Sequence, residues 1–280
     1  MKFWKMHGCG NDFIIIDGRF DNKNDDSYSK DALIFCNRKL SIGGDGFIVV
    51  KNSECADIKM VYYNADGSRA AMCGNGIRCF AKYVVENIIV NKPIFSIETL
   101  NGIKEVRIEM DENFVSSVSV NMGDGCFNPS SIPLHSIYND KSRFIEENIE
   151  IGDMSFKVSS ILVGVPHTIV FVDEKLDISD VEHYGNLIEN HSIFPEKTNV
   201  NFVKIIDKNN IFVQTWERGC GYTYGCGTGM VASAIISNYL DYTTKQVKVS
   251  SFGGDVFVKI TSKGTIMSGG ATKVFSGTTN

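Results

Sequence analysis

The phrase Cys73-Gly74-Asn75-Gly76 recurs as Cys226-Gly227-Thr228-Gly229, once in each half of the chain, and each copy runs into an apolar stretch with helical spacing. Each phrase therefore puts a thiol at a helix N-terminus. The unpaired backbone N–H groups and the positive dipole end found there favour a thiolate over a thiol, and the glycines let backbone donors come close to a bound anion. If the two halves face each other, two activated cysteines flank one anion-binding slot. That geometry can take a proton from one face of a carbon and return one to the other.

Other uses of these thiols need weighing. Most free cysteines are inert packing, and Cys9, Cys36, Cys55 and Cys126 are read that way. Around Cys73 and Cys226 the glycines argue otherwise, because glycine weakens a helix start unless something must approach the backbone. A zinc site is a second alternative, since Cys73 with Cys79 and Cys220 with Cys226 share one spacing, five residues between. That spacing is wider than zinc pairs use, and Cys79 falls inside the first helix on another face, so no metal is expected. A protease-like nucleophile would need an oriented histidine base. His167, after Gly164-Val165-Pro166, is the histidine placed at a turn between strand-like runs, and it could serve a nucleophile or a proton-transfer pair. The duplicated thiol discriminates, because acyl transfer needs one nucleophile and racemisation needs two opposed acid/base groups.

The elements that position these residues are mostly strands. Short runs rich in Ile, Val, Phe and Tyr, bounded by Gly, Asn and Asp, predict strands at 13–16, 47–50, 57–63, 94–99 and 115–120 in the first half. The second half adds 158–163, 168–172, 201–206, 211–216, 246–250 and 256–260. Ile77, Phe80, Ala81, Val84, Val85 and Ile88 form the stripe of an amphipathic helix. The run after Gly229 is apolar nearly all round, as for a helix enclosed by sheet. Lesser helices are expected around 29–36 and 181–190. The expectation is an α+β fold of two similar domains, each a curved sheet around one central helix that begins at its cysteine. The turn-rich stretch 121–129 supplies the boundary, with domains over 1–125 and 126–269. A C-terminal segment at about 270–280 could return to the first.

At 280 residues the chain can bury a sizeable core, and 28 basic against 33 acidic residues leave a net charge of -5 without a basic face. Nucleic acid and anionic membrane surfaces are therefore not expected partners. Lys5, His7 and glycines interrupt the opening segment before a signal-length apolar core develops, and no later run approaches a membrane span. These features predict a cytoplasmic protein with its eight cysteines reduced.

Several longer motifs resemble the diaminopimelate epimerase family. They are His7 to Phe13 (HGCGNDF), Asn64-Ala65-Asp66-Gly67-Ser68, Met72 to Cys79 (MCGNGIRC), Thr198 to Phe202 (TNVNF) and Trp216-Glu217-Arg218-Gly219 with the second thiol phrase. They cover the whole chain in order. The resemblance implies an amino-acid racemase or epimerase that needs no cofactor, with two pseudosymmetric domains, each a mostly antiparallel sheet wrapped on a central helix. Its partner would be a small-molecule amino-acid substrate. Cys73 and Cys226 would be the thiolate/thiol pair, and His167 and Glu217 would assist them. Gly74, Asn75, Gly227 and Thr228 would hold the α-carboxylate at the helix ends. Asn11, Asn64, Asn199 and Arg218 match substrate contacts, the last three at the distal end of diaminopimelate. Phe275 falls at a family dimer contact, implying a homodimer.

Two departures lie in the expected substrate pocket. Val165 replaces an amide of the family's Gly-Asn-Pro-His, and Tyr222 replaces the acid of its Gly-Glu-Thr. Losing one partner of a buried polar pair costs roughly 1 to 3 kcal/mol, enough to change substrate preference. The shift toward apolar and aromatic surface favours a single-centre amino acid such as histidine, with diaminopimelate as the alternative. A binding protein on the same scaffold is a third reading, and it would bind without turnover.

Overall fold

The computed structural model describes every residue except Asp153 and Asn280. In chain order the elements are β1 (Lys2–Gly8), β2 (Asn11–Asp17), α1 (Ser29–Phe35), β3 (Gly46–Lys51), β4 (Ile58–Asn64), α2 (Gly74–Glu86), β5 (Ile94–Thr99), β6 (Gly102–Asp111) and β7 (Phe114–Asn121). They continue with β8 (Phe144–Ile151), β9 (Met154–Val163), β10 (Val165–Phe171), α3 (Ile178–Glu189), β11 (Asn199–Asp207), β12 (Asn210–Glu217), β13 (Gly221–Thr223) and α4 (Gly227–Tyr239). The last four are β14 (Gln246–Ser251), β15 (Gly254–Thr261), β16 (Gly264–Gly269) and β17 (Thr272–Thr278). The chain divides into two compact units, Met1–Asn121 with Ser268–Asn280, and Met122–Met267.

In the first unit β1 lies between β17 and β2, antiparallel to both. β2 runs parallel to β3, β3 antiparallel to β4, and β4 parallel to β5, after which β5, β6 and β7 form an antiparallel meander. A parallel pair needs a crossover. α1 makes the first and α2 the second. α2 touches β1, β2, β3, β6 and β7, so the sheet wraps around it, and its residues from Gly74 to Val84 are buried.

The second unit repeats the plan. From β9 the steps to β10, β11, β12, β14 and β15 are antiparallel, parallel, antiparallel, parallel and antiparallel, the same order as from β1 to β6. α3 and α4 make the crossovers, and β8 adds an antiparallel edge on β9. α4 touches β9, β10, β11, β12, β14 and β15, which explains why its sequence is apolar all round. Met230, Val231, Ala232, Ala234 and Ile236 are at most 1% exposed. Each fully buried larger side chain contributes about 1.5 to 3 kcal/mol, so the helix is held by its enclosure more than by propensity.

All four predicted helices and all eleven predicted strands are present, with ends shifted by a few residues. β1, β6, β8, β13, β16 and β17 were not foreseen. β1 carries Lys5, which is only 7% exposed because its ammonium bonds Asp12 at 2.6 Å. β17 is mostly exposed and is a strand because of its ladder with β1. No described helix is long and apolar enough to cross a membrane.

Candidate active site

Cys73 is the N-cap of α2, in extended backbone (φ -135°, ψ 125°). Its sulfur accepts the Gly76 N–H at 3.4 Å, one of the orphan donors of the first turn. The same sulfur lies 3.4 Å from Asn11 Oδ1, to which a thiol would donate. Asn11, at the start of β2, is fixed by donating through Nδ2 to Asp45 at 2.8 Å, and Asp45 in turn accepts from Arg38 at 2.7 Å. The amide therefore turns its oxygen to the thiol. Gly74 opens the helix. Asn75 is 1% exposed and its Oδ1 accepts from the fully buried Arg78 at 2.9 Å, so this side chain braces the first turn. Asn64 ends β4 and donates to Ser68 Oγ at 3.0 Å within the Asp66-Gly67 turn, the local chemistry expected of such a turn.

Cys226 caps α4 in the corresponding way (φ -101°, ψ 112°). It is buried, 3.4 Å from Thr228 Oγ1, in the first turn that Gly227 opens. Burial pushes this thiol well above its ordinary range and the Glu217 carboxylate adds to the rise, while the Thr228 hydroxyl and the Gly229 amide pull the other way. Glu217, at the end of β12, is steadied by accepting from Thr223 Oγ1 at 2.7 Å. His167 on β10 is fully buried, and burial first and the Arg218 charge second push its imidazole down to about 3. Burial therefore favours the neutral ring.

Asn199 on β11 clips three segments together, donating to Pro166 O at 2.8 Å and accepting the Arg218 N–H at 2.9 Å. Arg218 donates through its guanidinium to Glu196 O at 2.8 Å. Val165 opens β10 and is 37% exposed. Tyr222, on β13, packs against the second unit's own core and stacks edge-on with Tyr224 at 6.0 Å. Its hydroxyl is buried with no partner among the described residues.

The remaining thiols are placed differently. Cys79 is fully buried in α2 with its thiol pushed up to about 12 by burial, and Cys220 is exposed at the turn after Arg218. Among the described residues, no three His, Cys, Asp or Glu side chains gather as a metal site would require.

Two residues of the site escaped the sequence reading. Asp45, which sets the direction of the Asn11 amide, follows a Gly-Gly turn and gives no periodic signal. Asn201, fully buried beside His167 with its Nδ2 3.2 Å from the ring Nδ1, stands two places after Asn199 on β11. A polar residue repeated at strand period inside an apolar run was the available clue.

The fold is shared with a hydroxyproline epimerase from Agrobacterium vitis, which superposes with a TM-score of 0.73 at 14% identity, over 99% of this chain and 91% of that one. The chain belongs to the diaminopimelate epimerase family, whose model matches residues 3–127 and 159–274. A diaminopimelate epimerase of Alkaliphilus metalliredigens (strain QYMF) is 46% identical over 273 residues, 98% of this chain and 95% of that protein. The diaminopimelate epimerase of Clostridium perfringens (strain 13 / Type A) is 45% identical over 281 residues, 99% of each chain. The protein is thus an isomerase of the racemase and epimerase class.

Proposed function

We propose that the chain is a diaminopimelate epimerase, inverting one α-carbon of diaminopimelate by proton transfer between Cys73 and Cys226. The observation that carries the substrate is the 46% and 45% identity, across nearly the whole chain, to relatives bearing that name. The histidine reading, drawn from Val165 and Tyr222, gives way to it. Tyr222 spends its ring on the core of its own unit, which weakens the argument that it reshapes a substrate pocket.

In this reading one sulfur removes the α-proton and the other supplies its replacement. Glu217 faces the second thiol and His167 serves the same site as a neutral ring. The α-proton is weakly acidic, so the carbanion needs stabilisation from donors at the helix ends acting on the α-carboxylate in a water-poor site. Gly74, Asn75, Gly227 and Thr228 occupy those ends. Asn64, Asn199 and Arg218 would hold the distal amino-acid group. Association as a homodimer through the half-exposed Phe275 of β17 belongs to the same proposal, and sedimentation would test it.

The test is incubation in heavy water with LL-diaminopimelate, L-histidine and other L-amino acids, following α-proton loss and optical rotation. Exchange confined to diaminopimelate is the expected result. Exchange of histidine alone would overturn the substrate, and binding without exchange would overturn the enzyme reading. Cys73→Ala and Cys226→Ala should each abolish epimerisation, and full activity in either would refute the two-thiol mechanism.

A further inference from the structure

Asn201 lies at the meeting point of the second unit's site and its enclosed helix. It is fully buried on β11, in the parallel ladder with β10, which carries His167. Its Oδ1 accepts the Thr215 hydroxyl at 3.1 Å, and its Nδ2 points to both the Thr168 carbonyl at 3.4 Å and His167 Nδ1 at 3.2 Å. A carbonyl can only accept, so the Thr168 oxygen fixes which end of the amide is nitrogen. The Asn201 N–H must then donate to the imidazole Nδ1. A neutral ring whose Nδ1 lone pair is engaged carries its proton on Nε2. His167 Nε2 is buried without a partner among the described residues, a donor reserved for something the unit does not itself supply. The helix side of the pocket is equally specific. A Cβ at Gly229, in the first turn of α4, would fall 2.2 Å from Asn201 Oδ1, so the glycine of the second thiol phrase makes the space that this amide fills.

We infer that Asn201 is a positioning residue that locks His167 as its Nε2–H tautomer, so that the histidine serves the reaction as a neutral hydrogen-bond donor and not as a proton-accepting base. The inference rests on the proposed function only in treating His167 as part of the site. The Nε2–H would stabilise negative charge on a bound carboxylate or a thiolate, and its proton would stay on the ring throughout. Ring protonation at Nδ1 is blocked while the Asn201 N–H occupies that lone pair.

The direct test is nitrogen NMR on protein labelled with ¹⁵N in its histidine rings, with the His167 signals assigned by their absence in His167→Gln. The expected wild-type pattern is an unprotonated Nδ1 and a protonated Nε2. The reverse pattern, or a doubly protonated ring at neutral pH, would overturn the inference, and this arm needs neither turnover nor a variant at position 201. Asn201→Asp supplies the functional arm. A carboxylate there accepts from Nδ1–H and moves the lone pair to Nε2, removing the donor. The expected result is a swapped tautomer with kcat lower by on the order of 100-fold and KM changed little. A swapped tautomer with wild-type kcat would overturn the positioning role. If Asn201→Asp fails to fold, Asn201→Ala replaces it, with a mixture of tautomers and a partial fall in kcat expected, and an unchanged tautomer overturning the lock. A chain inactive on every amino acid offered would sink the substrate reading and leave the tautomer result to decide this one.

Discussion

Gly76 and Gly229 are equivalent residues of the repeated phrase, each the third residue of its helix, yet replacing them with alanine should have very different effects. At Gly229 the new Cβ would sit 2.2 Å from Asn201 Oδ1 and 3.3 Å from Cys226 Cβ. The amide cannot step aside, because it is fully buried and bonded to His167, Thr168 and Thr215. Overpacking costs about 1 to 3 kcal/mol, and stranding the buried partners costs about 1 to 3 more, against a gain of about 0.5 to 1 from alanine over glycine in a helix. The net for Gly229→Ala is a loss of about 1 to 5.5 kcal/mol, and its middle value of about 3 reads as a Tm lower by roughly 6 to 12 °C. At Gly76 the nearest atoms are the terminal methyl of Ile48 at 3.2 Å, Cys73 Cβ at 3.4 Å and Phe13 at 3.5 Å. That is tight but yielding contact, so Gly76→Ala should stay within about 1 kcal/mol of the parent in either direction. Thermal and urea unfolding of the two variants side by side makes the comparison. Equal shifts in the two would refute the claim that the second phrase was shaped around Asn201.

Tyr222→Phe removes a buried hydroxyl that has no partner among the described residues, and should raise stability by about 1 kcal/mol; a loss in urea unfolding would show that the hydroxyl is satisfied. Glu217→Gln removes the second cause of the raised Cys226 thiol and leaves burial, the first, in place. Its thiolate absorbance should appear at lower pH than in the parent, and an unmoved titration would separate the two groups. Asp12 is desolvated, but hydrogen bonds from Arg38 and Lys5 outweigh that and hold its carboxyl well below the usual range. A depressed folded-state value gives stability that is present above the ordinary carboxylate range and lost as pH falls toward the folded value. Asp12→Asn should therefore be less stable than the parent at pH 7 and lose less on acidification, checked by urea midpoints on either side of the ordinary carboxylate range.

How far the sequence was legible depended on whether an element was determined locally. α2 and α4 announce themselves by a glycine-flanked cysteine and the apolar run after it, striped at helical spacing in α2 and apolar nearly all round in α4, and both cysteines are N-caps as expected. β1 hides its pattern behind a lysine that is buried because Asp12 of β2 and the Gly43 carbonyl meet its ammonium, and β17 has almost no buried face to mark it. The same division runs through the site. Cysteine at a helix start can be read from four residues, but the direction of the Asn11 amide is set by Asp45, and that of the Asn201 amide by Thr168 on the neighbouring strand. Such roles depend on sheet register, which a single sequence leaves open. Asn75 adds a role that its place in the phrase did not announce: its side-chain oxygen accepts from the buried Arg78.

The two copies of the phrase share a backbone and differ in what surrounds the sulfur, and the difference bears on a reversible proton exchange. A thiol that is base in one direction and acid in the other needs partners for both of its protonation states. Cys73 has the Gly76 N–H, which favours thiolate, and the oxygen of Asn11, which can accept from a thiol. Cys226 has burial and Glu217, which favour the thiol, opposed by Thr228 and the Gly229 amide, which favour the thiolate. Each sulfur is therefore held between opposing influences, of different chemical origin in the two units. The helix start supplies the thiolate-favouring half in both, because it comes with the repeated phrase. The thiol-favouring half comes from outside it, from Asn11 on β2 in one unit and from burial and then Glu217 on β12 in the other, so it could diverge between the halves while the phrase itself stayed the same.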